Sequence, residues 1–146
     1  MILNLNRSYG GITEMKVRCI TNNGKELSQK VVEAGHLTTT EYQLNIGYEY
    51  TVYGISIWKN VLHYLTMDKY ETFPTWHPAE LFIVSYNMLP FEWYFKYFNV
   101  KENEDLNAIW GYRELVLEEY HYDELLERDD KAIRVFLKRK KEMEEN

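Results

Sequence analysis

Side chains able to carry acid–base or metal chemistry are few among these 146 residues. The four histidines, His36, His63, His77 and His121, are dispersed. No two stand at the i, i+4 spacing that aims both from one helical face toward a shared ion. The densest group of possible ligands is His121 with Asp123, Glu118 and Glu119. An imidazole among carboxylates could hold a divalent ion or pass a proton, although a solvated acidic surface with one histidine in it accounts for the same residues. The seven glycines are scattered, so no loop offers consecutive N–H groups to a phosphate. Ser8, Ser28, Ser56 and Ser85 lie in no nucleophile-elbow context. Cys19 is the one cysteine, which leaves no intrachain disulfide and fits a reducing compartment; its place in the strand-like run 16–21 marks it as a packed thiol. These residues predict no catalytic site, no metal and no cofactor.

Charge is what the sequence concentrates. Eleven of the 23 acidic residues lie between positions 102 and 130 against Arg113 and Arg128 alone, a formal −9 in a chain whose net charge is −6. So one-signed a block is tolerated where it faces water or a basic partner. Interleaved with it are Trp110, Tyr112, Tyr120 and Tyr122, residue types favoured at protein interfaces. The predicted contact residues are Glu118, Glu119, Tyr120, Tyr122, Asp123 and Glu124. Direct nucleic-acid binding requires the opposite charge. Nucleases carry basic surfaces because they hold phosphates, so an acidic, tyrosine-rich protein complements such an enzyme.

The elements that must position these residues follow from periodicity. Hydrophobic content of 45% and aromatic content of 16% specify a folded chain of about one domain. No apolar run approaches the roughly eighteen residues of a membrane span, and the first residues lack the features of a signal peptide, so a cytoplasmic protein is expected. Residues 1–14 read as an amino-terminal extension and 15–146 as a single α+β domain, β-rich over 15–100 and mainly helical over 101–146. Strands are predicted over 17–20, 48–58, 61–67, 81–84 and 93–98, with Gly54 marking a bend and Lys59 and Asn60 a hairpin turn. Stretches 21–40 and 68–80 read as loops. Five short strands with frequent turns suggest a small antiparallel barrel or strongly curved sheet. Beyond them, 115–126 fits one helix or two short pieces. A final helix begins near Asp129 or Asp130, with Ile133, Phe136, Leu137 and Met143 at helical spacing. The basic cluster at 138–141 complements the end of that helix.

The segment 46–55, with its alternating Tyr48, Tyr50 and Val52 followed by Gly54, resembles an SH3-like barrel strand. Taken with 64–68, 74–76, 78–82, Leu89, Pro90 and Trp93, it resembles the immunity proteins of polymorphic or contact-dependent growth-inhibition toxin systems, over residues 15–98. The resemblance implies a cytoplasmic binder that neutralises a cognate toxin. Two other binding readings fit the residues. A phage or mobile-element inhibitor could present the same carboxylates as a DNA mimic. An SH3-like module could bind proline-rich peptides through Tyr48, Tyr50, Trp76 and Trp93.

Overall fold

The computed structural model describes residues 14–99 and 105–145. Residues 1–13, most of the expected extension, lie outside that range, as do Glu102 and Glu104 of the acidic segment. Glu14 is described, pairing with Lys16 and accepting a hydrogen bond from Thr51.

The chain is α+β, with two antiparallel sheets and carboxy-terminal helices. Strands β1 (Met15–Cys19), β2 (Glu49–Val52) and β6 (Phe82–Tyr86) form a sheet in the order β2-β1-β6. Strands β3 (Gly54–Trp58), β4 (Val61–Thr66), β5 (Thr75–Pro78), β7 (Tyr94–Tyr97) and β8 (Leu106–Gly111) form the other, in the order β5-β4-β3-β8-β7. The alternating run 48–58 is therefore two strands. It breaks at Tyr53 and passes from one sheet to the other, as Gly54 suggested. A 3₁₀ turn (Ala79–Leu81) leads into β6. The sheets do not close into a barrel, and β8 and β7 extend the second one.

Two of the eight strands were not among the five expected. β5 fell within the expected loop 68–80 because Pro78 reads as a breaker, yet this strand is a sheet edge, where a proline needs no ladder partner. β8 fell within the region expected to be mainly helical, because its apolar residues sit inside the acidic block. Two short helices replace the ambiguous stretch 115–126: α2 (Arg113–Leu117) and α3 (His121–Leu126). The first helix, α1 (Gln29–Glu33), lies within the expected loop 21–40. The last, α4 (Asp130–Glu145), begins where expected, with Asp129 accepting from the N–H groups of Lys131 and Ala132. Its basic cluster does not serve the helix end: Arg139 binds Glu114 and Glu142, and Lys140 binds Glu144.

The core is in two parts, the first lined by strands of both sheets. Val17, Cys19, Val31, Val52, Tyr64 and Leu81 pack in one, so Cys19 is the buried thiol expected, its pKa raised by burial. Tyr53, Leu65, Ile109, Leu115 and Phe136 pack in the other, between the larger sheet and the helices. The second core depends on a cross-strand glycine pair, Gly54 opposite Gly111. A Cβ at either would stand 2.7 or 2.6 Å from Leu115 Cδ2, so the missing side chains make the hollow that seats α2. The β3–β4 hairpin turns at Lys59 (φ 50°) and Asn60 (φ 63°), the pair of positive φ values that matches strand twist.

Candidate interaction surface and the buried histidines

Helices α2 and α3 carry the charged segment, and their amphipathic spacing sorts it. Leu115, Val116, His121 and Leu125 turn inward. Glu118, Glu119, Asp123, Glu124 and Glu127 turn outward and form no salt bridge among the described residues. Among them stand Leu117, Tyr120 (65% exposed) and Leu126 (52% exposed). Apolar anchors ringed by uncompensated carboxylates suit the capture of a basic protein surface. Five of the six predicted contact residues, Glu118, Glu119, Tyr120, Asp123 and Glu124, share this surface. Tyr122 does not: it packs half-buried against the second core, its ring centroid 5.8 Å from that of Trp76. Position within a short helix decided this, since Tyr122 falls on the same face as Leu125. Its pKa is raised, chiefly by burial.

Not every carboxylate of the block belongs to this surface. Glu114 receives two 2.8 Å hydrogen bonds from Arg139, from Nε to Oε1 and from Nη2 to Oε2. That fork holds the Glu114 carboxyl below the usual range. Asp129 is spent on the α4 cap, and Arg128 lies over the ring of Phe73 at 3.8 Å.

His121, the centre of the possible acid–base group, is buried at 4% exposure. Its Nε2 lies 2.7 Å from the hydroxyl of Tyr112, and the two rings meet edge to face. Burial lowers its pKa, against the pull of Glu114 and Glu118. The acidic neighbours in sequence are exposed while the imidazole is buried in the core, an arrangement unlike a shared ligand or acid–base cluster. The four aromatics of the peptide-groove reading are dispersed as well. Tyr50 is buried, Trp93 packs on the first core and Trp76 on the second, and Tyr48 is exposed.

Comparison of the chain with known protein families, curated proteins and solved structures finds no match. The site therefore rests on its own geometry.

That geometry brings together three histidines that the sequence leaves dispersed. His36 follows α1, His63 is on β4 and His77 is on β5. The Nδ1 of His63 lies 2.9 Å from the carbonyl of Val61, which can only accept, so that nitrogen carries the proton. Its Nε2 is then bare and accepts from His36 Nε2, 2.9 Å away. His36 Nδ1 in turn accepts from the Tyr42 hydroxyl at 3.3 Å. The chain of donors thus fixes both tautomers. Among the described residues His77 has no hydrogen-bond partner at either nitrogen; it packs edge-on against Tyr42 and Phe82. Burial lowers the pKa of His63 and of His77 to about 4 and that of His36 in the same direction. Among the described residues no group of three or more His, Cys, Asp or Glu side chains is placed to hold a metal ion. No linear motif announced this cluster. The one available signal was that His63 falls in a run read as a strand.

Proposed function

We propose that the chain is an immunity-type binding protein that neutralises a basic protein toxin, a nuclease being the class whose surface it best complements. The observation that carries the reading is the α2–α3 surface, where Glu118, Glu119, Asp123, Glu124 and Glu127 stand exposed, without counter-ions among the described residues, around Leu117, Tyr120 and Leu126. Carboxylates of this kind speed encounter with a basic cleft, and the apolar anchors supply contact once water is excluded. Occupation of the substrate cleft by the acidic surface is inhibition by exclusion, which requires no catalysis from this chain. Its setting is the cytoplasm of the producing cell: no described helix is long and apolar enough to cross a membrane, and the neutralised enzyme acts there.

The test is co-production with the protein encoded immediately upstream, followed by titration of the purified pair. The expected result is a stoichiometric complex that suppresses the partner's toxicity. The variant Glu118→Lys, Glu119→Lys, Asp123→Lys should bind about 100-fold more weakly, at roughly 1 kcal/mol per reversed charge. Tyr122→Phe should bind as the parent does, because that ring faces the core. Unchanged affinity in the triple reversal would sink the proposal.

A further inference from the structure

Residues 35–47 form a strap between α1 and β2, bounded by two glycines in the left-handed region, Gly35 (φ 116°) and Gly47 (φ 88°). A Cβ added at either would meet no atom within 4 Å. The Gly47 end is tied to β1, its N–H donating to Cys19 at 2.8 Å and its carbonyl accepting from Arg18 at 3.0 Å, and the Gly35 N–H donates to Val32 at 3.0 Å. Its inward side chains are His36, Tyr42 and Leu44. Two of the three meet the histidine cluster, through the Tyr42–His36–His63 chain and through the edge of Tyr42 on His77. Elsewhere the strap is tied to the turn after β1, with Tyr42 N–H donating to Asn22 at 2.7 Å and Gly24 N–H donating to Thr40 at 2.9 Å. The strap also walls a polar cleft of about 750 Å³, lined by Asn22, Glu41, Tyr42, Asp68, Tyr70 and Glu71 among others.

We propose that the histidine cluster is an acid-released latch: protonation of His36, His63 and His77 detaches the strap at 35–47 and opens the cleft it walls. The hydrogen-bond chain admits no extra proton without loss. Once His63 is charged, both its nitrogens are donors, and its Nε2–H faces the Nε2–H of His36. Once His36 is charged, it can no longer accept from Tyr42. His77 has no hydrogen-bond partner at either nitrogen among the described residues, and after burial the charges of His63 and His36 oppose its protonation, so a proton there adds a third charge to the cluster.

Among the described residues no carboxylate offsets those charges. On α1, Glu33 is held by Gln29 and Lys30 is exposed. In the turn before β4, Lys59 lies over the ring of Trp58. In the 3₁₀ turn before β6, Glu80 accepts from Ser28, and on the strap itself Glu41 is exposed. In the loop after β4, Asp68 and Glu71 accept from the backbone of that loop. Tyr42 and Tyr64 are neutral phenols whose pKa burial raises further. Burial and the mutual repulsion of the imidazoles are what act on His63 and His77, opposed only at His63 by its bond to Val61.

The sign follows from proton linkage. Above about pH 6.5 a histidine is neutral whether the strap is closed or open, and the latch is at full strength. As pH falls, the solvated open form takes up protons that the closed form, with pKa about 4 at His63 and His77, refuses. The open population rises until the closed form protonates too. Between pH 7.5 and 5.5 each of these two histidines shifts the balance about 10-fold, and the pair about 100-fold.

Amide hydrogen exchange on the full chain, corrected for intrinsic rates, tests this. Protection of the Tyr42 and Gly24 amides should fall about 100-fold from pH 7.5 to 5.5. The Tyr53 amide, bonded to Leu65 at 2.8 Å where the two sheets meet, should keep its protection. In His77→Phe, which forfeits no hydrogen bond and keeps the ring packing, the fall should shrink to about 10-fold. Constant strap protection would overturn the latch, as would equal loss at Tyr53 or a full parental response in His77→Phe. Should that variant fail to fold, the contrast between strap and Tyr53 in the parent chain decides alone.

Discussion

The hollow that seats α2 can be tested by exchanging volume between its two sides. Gly54 is not in the left-handed region, so alanine there meets no backbone strain. It would even gain about 0.4–1 kcal/mol by restricting the unfolded chain. What it meets is Leu115: the new Cβ would stand 2.7 Å from Leu115 Cδ2, 3.2 Å from Trp76 Cη2 and 3.5 Å from Leu65 Cβ. Leu115 and Leu65 are buried and cannot simply swing into solvent, so Gly54→Ala should cost about 1–3 kcal/mol through overpacking. Leu115→Ala removes the opposing methyls and should cost about 3–5 kcal/mol, since α2 is tied to the sheet through Gly111 and Tyr112 and can collapse only partly. In that background the sign of the first change should reverse, because the added methyl enters the space Leu115 has vacated. Urea unfolding with a common slope for all four proteins measures the cycle. A coupling of at least about 1 kcal/mol is expected between residues in direct contact. Additive costs, or destabilisation by Gly54→Ala in both backgrounds, would refute the claim that the glycine pair exists to seat Leu115.

Two further outcomes follow from the second core. Tyr112→Phe should cost about 1–3 kcal/mol, because His121 loses its 2.7 Å partner while still buried; thermal unfolding would show a fall of several degrees, and an unchanged midpoint would argue against the bond. Arg139→Met should cost about 1.5–3 kcal/mol at pH 7, where it strands the partly buried Glu114. The Glu114 pKa is depressed in the folded chain, so its contribution is complete above the ordinary glutamate value and vanishes as pH falls through the lowered one. The gap between parent and variant in urea midpoint should therefore close in acid, and a gap independent of pH would mean that packing of the arginine stem, not the ion pair, holds α4 to α2.

What the sequence made legible was set by the range of the forces involved. Alternation over 48–52, the break near Gly54, the turn at Lys59 and Asn60 and the cap near Asp129 are local, and each appears where its own chemistry requires. β5 and β8 were not legible because pairing decides them: Pro78 is tolerated at an edge that only the sheet order creates, and Leu106, Ala108 and Ile109 are strand residues because β3 and β7 flank them. Gly24 shows the same limit. It lies in a stretch read only as a loop, yet the residue is needed for close approach, since a Cβ there would collide with the Leu37 carbonyl.

The two sites divide along that line as well. The acidic surface was visible because like charges adjacent in sequence must find water wherever the chain goes, so exposure of Glu118, Glu119, Asp123 and Glu124 needed no tertiary information. Tyr122, one position from Asp123, was read with that surface because a tyrosine satisfies core and interface equally; the helix phase relative to Leu125 turns its ring toward Trp76 and the second core. The histidine cluster demanded the most. His36 and His63 lie 27 residues apart, and their juxtaposition depends on α1 ending at Glu33, on Gly35 turning the strap back, and on β5 pairing with β4 to bring up His77. A buried imidazole without a carboxylate partner is tolerated only while neutral. Composition and periodicity carry no trace of that condition, because it belongs to the absence of charge around three residues that only the fold brings together.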